Sequence, residues 1–97
     1  MPYITQEQRK ELDPFINCLA SKVSSSGGLN YAITRLCVLV AKEGLKVERS
    51  KYLVFNTIVG VLSCVMLEFY RRVVASYEDK KKKQNGDVFE EVLEELE

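Results

Sequence analysis

Between residues 51 and 83 the chain has no proline, and Phe55, Ile58, Leu62, Val65, Phe69 and Val73 recur at the spacing of one helical face. This stretch predicts one long helix. A second face carries Gly60, Cys64 and Leu67, small enough at its centre for another helix to come close. A helix apolar on two sides is a central one, so the other elements have to be arranged around it. Along the same stretch Asn56, Ser63, Tyr70 and Tyr77 recur every seven residues, and residues seven apart lie nearly above one another on an α-helix. They predict a polar stripe that needs hydrogen-bonding partners from other helices, a second copy or a ligand.

The remaining elements follow from caps and periodicity. Thr5 and Gln8 read as a capping box opening a short helix to about Leu12, after which Asp13-Pro14 is expected to restart the helix through about Val23. The run Ser24-Ser25-Ser26-Gly27-Gly28 reads as a flexible joint. From Leu29 to about Leu45 the residues Leu29, Ile33, Leu36, Cys37 and Val40 keep the helical period, Gly44 is a terminator, and Ser50 caps the long helix. Asn85-Gly86-Asp87 predicts a turn, and an acidic amphipathic helix is expected over about 87–97. The expected fold is all-α, a small helical bundle around one long central helix in a single domain, 1–97. A chain of 97 residues buries a modest fraction of its surface, so self-association is expected too.

Composition narrows the functions. The apolar share of 46% with 29% charged residues is that of a folded protein, and zero formal charge argues against nucleic acid as the partner. Cys18, Cys37 and Cys64 lie far apart among apolar positions and read as buried free thiols, which points to a reducing cytoplasm. With no histidine and no Cys-x-x-Cys, neither a zinc site of the usual kind nor a Cys-His nucleophile can be built. The carboxylates lack metal-ligand spacing, no glycine-rich phosphate loop is present, and no cofactor is expected. The N-terminus lacks the apolar core of a signal peptide, and residues 53–67 fall short of the roughly 18–20 residues of a membrane span, so no membrane partner is expected.

No catalytic constellation stands out, and the chain is expected not to be an enzyme. The densest polar group is Glu68-Phe69-Tyr70-Arg71-Arg72. Glu68 can reach Arg71 and Arg72 along the helix, a pairing worth only about 0.2–0.5 kcal/mol. The sharper reading gives Arg71, Arg72 and Lys80 to phosphate, while Tyr70 and Tyr77 stack or donate hydroxyls. Asn30 and Tyr31 follow the paired glycines, where helix N-terminal amides attract anions; Asn30 as a simple N-cap is the competing reading. The lysine run at 80–83 reads as a solvated helix end, offset by the acidic tail. That tail is a candidate docking helix.

Pro2-Tyr3-Ile4, Leu12-Asp13-Pro14, Leu29-Asn30-Tyr31-Ala32-Ile33-Thr34, Gly60-Val61-Leu62, Glu68-Phe69-Tyr70-Arg71-Arg72-Val73-Val74-Ala75, Tyr77-Glu78-Asp79-Lys80-Lys81 and Asn85-Gly86-Asp87-Val88 span nearly the whole chain. Together they resemble a family of small uncharacterised proteins of tailed bacteriophages, prophages and bacteria. The chain departs from that pattern at Ser76, where proline is expected, at Ser63, where an acidic residue is expected, and in its glutamate-rich extension. The resemblance implies a bacterial host cytoplasm and a phage accessory role. By analogy with unrelated small helical phage proteins, that role is an oligomeric anti-defence sponge for a nucleotide-type immune signal. The rival expectation is an interaction module that inhibits or bridges host or phage proteins.

Overall fold

The computed structural model describes residues 2–88 and Glu95; the expected helix over 87–97 lies mostly outside them. Among the described residues all regular structure is helical, so the fold is all-α. The order is α1 (Gln6–Lys22), α2 (Ser26–Gly44), α3 (Lys51–Phe69), a π-helical turn (Tyr70–Val74) and α4 (Ala75–Asn85). The chain divides into two compact units, Met1–Leu62 and Ser63–Glu97.

In the first unit Thr5 and Gln8 form the expected capping box, with the Gln8 N–H donating to Thr5 Oγ1 at 3.2 Å and the Thr5 N–H donating to Gln8 Oε1 at 3.1 Å. The helix then runs through Asp13-Pro14 unbroken, which corrects the expected restart. Pro14 has no N–H for the Lys10 carbonyl, but residues 10–14 are exposed and water can take that oxygen.

The joint between α1 and α2 is also shorter than expected. Ser25 is the N-cap of α2 and its Oγ accepts from the Gly28 N–H at 3.0 Å, so Gly27 and Gly28 belong to the first helical turn. Glycine is cheap there because first-turn amides lack helical partners in any case, and a serine cap offers them one. At the other end Gly44 closes α2, and a Cβ on it would stand 3.5 Å from Val54 Cγ1 of α3. Ser50 caps α3 as expected, accepting from the Leu53 N–H at 3.3 Å. In the second unit α4 ends at Asn85, and Gly86 turns the chain with φ 90°, a conformation that favours glycine.

The faces expected to be buried are not buried among the described residues. No described residue is buried, and Phe15, Tyr52 and Leu67 are 75%, 73% and 63% exposed. The thiols follow suit: Cys18 is exposed, Cys37 and Cys64 half-buried, all three free. Periodicity identifies which face of a helix is apolar but not what lies against it. The helical stretch Lys51–Asn85, which contains the shorter apolar run 53–67, is long and apolar enough to cross a membrane by length and composition alone. Within it Thr57 Oγ1 donates to the Leu53 carbonyl at 2.8 Å.

Pro14 supplies the first test. Replacing it with alanine restores the helical hydrogen bond and should stabilise the protein by about 2 kcal/mol, the interior penalty of about 3 kcal/mol less about 1 kcal/mol of unfolded-state entropy. Thermal unfolding followed by circular dichroism at 222 nm should show a higher midpoint for P14A. A lower midpoint would mean that the proline serves a break in α1.

Candidate functional site

The second unit holds five of the seven sequence candidates, and its distinguishing feature is the π-helical turn over Tyr70–Val74. There the Ala75 N–H donates to the Tyr70 carbonyl, a step of five residues where an α-helix takes four. One extra residue wound into a turn rotates everything after it back by about 100°, one residue's worth of helical phase. Tyr70 is therefore brought into line with Glu78, eight positions on, rather than with Tyr77. Its hydroxyl donates to Glu78 Oε2 at 2.9 Å. The seven-residue polar stripe is thus corrected at Tyr77, which the change of helix type puts out of phase with Tyr70.

The neighbouring side chains form short-range pairs. Arg71 Nη2 donates to both carboxylate oxygens of Glu68, at 3.1 and 3.0 Å. The pair lies at the surface, with the arginine side chain 65% exposed, and surface pairs contribute about 0–1 kcal/mol. Tyr77 lies under the ammonium of Lys81, which is 5.7 Å from the ring centroid. Lys81 Nζ also donates to Gln84 Oε1 at 3.5 Å. Arg72 and Lys80 are exposed. An open concavity of about 530 Å³ begins at Glu78 and follows α4 past Lys82 to Val88.

Asn30 and Tyr31 belong to the other unit. Asn30 sits in the second turn of α2, where its Oδ1 accepts from Thr34 Oγ1 at 3.3 Å, so it is neither the N-cap nor at a free helix N-terminus. Ser25 holds the position assigned to it and already occupies the Gly28 amide. Tyr31 is exposed on the same helix.

The partners that sequence reasoning missed are Glu78 and Lys81. Glu78 was hidden because a spacing of eight does not align side chains on an α-helix, and only the π turn makes it do so. Lys81 follows Tyr77 by four residues, an ordinary helical neighbour, and was legible as such. The result is a surface of alternating sign: Glu68 with Arg71, Arg72 beside them, then Glu78 and Lys81.

The hydrogen bond to Glu78 raises the pKa of Tyr70 above its usual 10.0, and the charge of that carboxylate, slight desolvation and the charge of Asp79 act in the same direction. Ionising the phenol would place a phenolate beside a carboxylate. Because the folded-state pKa exceeds the unfolded one, the interaction contributes its full stability below pH 10 and loses it as pH rises through the folded pKa. Ultraviolet titration near 295 nm should therefore show one tyrosine ionising later than the others in native protein. Tyr70→Phe should delete that late transition, and Glu78→Gln should move it back toward the rest. All five tyrosines titrating together in the native protein would reject the bond in solution.

Comparison with curated proteins and with solved structures found no match. Residues 1–88 match the family model described as "Domain of unknown function (DUF6899)", and the chain belongs to that family.

Proposed function

We propose that this chain is a non-enzymatic accessory protein of a phage or prophage, acting in the bacterial cytoplasm as a homo-oligomeric bundle that sequesters a small anionic nucleotide-type signal. The observation that carries the reading is the π-helical turn at Tyr70–Val74, because such turns inside α-helices recur at functional sites and this one holds the two adjacent arginines. Arg71, Arg72 and Lys80 take the phosphates, and Tyr70 and Tyr77 supply a ring face and a hydroxyl. The proposal rests on these second-unit residues alone. Glu68 does not bar the site, since an exposed ion pair worth about 0–1 kcal/mol is readily exchanged for a doubly charged ligand. The phage setting and the immune-signal class come from the sequence resemblance and its analogy.

A second reading is favoured by the exposed apolar faces: a module that associates with a host or phage protein. The two part company in a ligand screen. Under the sponge reading, one member of a panel of cyclic dinucleotides and ADP-ribose isomers raises the melting temperature, the shift shrinks with added salt, and Arg71→Ala or Arg72→Ala removes it. No shift with any member rejects the sponge and leaves the association module.

A further inference from the structure

The π turn aligns more than one pair of side chains. Residues that straddle it fall in line at a spacing of eight, as the bond from Tyr70 to Glu78 shows, and the same phase sets Arg71 in line with Asp79 and Arg72 in line with Lys80. The turn therefore sorts the charges. Glu78 and Asp79 lie on the lines of Tyr70 and Arg71, about a quarter turn or more from the line that carries Arg72 and Lys80. Ser76 occupies the middle of that line, one helical turn from each cation, and all three residues are exposed. Glu68 borders its upper end, where both carboxylate oxygens accept from Arg71. At the lower end Lys83, one turn beyond Lys80, adds a further positive charge.

Two cations on one line, with a hydroxyl between them, have a definite reach. Eight residues rise about 12 Å along a helix, and with contacts of about 3 Å at each end two bound phosphates stand about 6 Å apart. Phosphates joined through a single oxygen are too close together for that gap, whereas phosphates separated by a sugar fill it. We propose that Ser76 and Lys80 form a second phosphate subsite, in register with a first at Arg71 and Arg72, and that the site takes a nucleotide whose two phosphates are separated by a sugar. The proposal rests on the nucleotide-binding reading above and adds to it a hydroxyl donor at Ser76 and a choice among ligands. Side chains of a helix slope toward its N-terminus, which carries Lys80 toward Ser76, so hydroxyl and ammonium converge on one phosphate.

The test uses the full chain and three probes: adenosine monophosphate, with one phosphate; ADP-ribose, with two joined through one oxygen; and cyclic di-AMP, with two separated by a sugar. Isothermal titration calorimetry should show cyclic di-AMP binding about tenfold more tightly than either of the others, the worth of one added charge-assisted contact. The deciding measurement is made on the double variant Ser76→Ala, Lys80→Gln, whose new residues are good helix formers and should leave the circular dichroism at 222 nm unchanged. Its affinity for cyclic di-AMP should fall about tenfold, while adenosine monophosphate, which needs only the arginines, binds as before. If ADP-ribose binds as tightly as cyclic di-AMP, or the double variant weakens all three probes alike, the second subsite is overturned and the nucleotide-binding reading stands. Binding of none of the three overturns the subsite, and silence across the wider panel overturns that reading with it.

Discussion

Uncovered apolar surface is the constraint on which the rest of this molecule depends. In proteins the stability of helices such as α1, α2 and α3 comes mostly from packing an apolar face rather than from propensity. Here those faces exist but no described residue is buried. Local devices such as the Thr5–Gln8 box and the Ser25 cap set where helices begin, at about 1 kcal/mol each. They cannot replace a core, since burying a single large side chain contributes about 1.5–3 kcal/mol. Covering these faces is therefore the step that would add most to the stability of the helices.

The π turn is the second organising element, and it acts through phase. Upstream of it α3 is apolar nearly all round, a pattern suited to an enclosed setting; downstream α4 is strongly polar. A continuous α-helix would have set Tyr77 in line with Ser63 and Tyr70. The added residue instead aligns Glu78 with Tyr70, and the 2.9 Å hydrogen bond between them spans the distorted turn. A local change of winding thus decides which charges become neighbours.

Much of this fold was legible because caps and periodicity are local signals. Thr5 with Gln8, Ser50 before α3 and Gly86 after α4 each name their place through short-range chemistry. Pro14 and Ser25 were misread because two local signals competed: a proline that usually restarts a helix was absorbed by an exposed one, and a serine cap outweighed paired glycines. The arginine cluster was legible as composition. Its pairing was legible only for Arg71 with Glu68, three residues apart, whereas Tyr70 with Glu78 depends on a π turn that no residue type announces. Burial was the least legible property, because an apolar stripe looks the same whether its partner is in the same chain or another.

The paired glutamates also bear on what the proposed site would select. Glu68 is paired with Arg71, so a ligand does not meet a bare guanidinium there but replaces a carboxylate already in place. A singly charged anion gains little from that exchange, because it substitutes one monoanionic partner for another at a solvent-exposed guanidinium. A ligand with two phosphates, or one doubly ionised phosphate, can engage Arg71 and Arg72 together, and an aromatic base adds stacking on Tyr77 in place of Lys81. Under the proposed function, the carboxylates would therefore act as a threshold that favours multiply charged nucleotides over the abundant small anions of a cell.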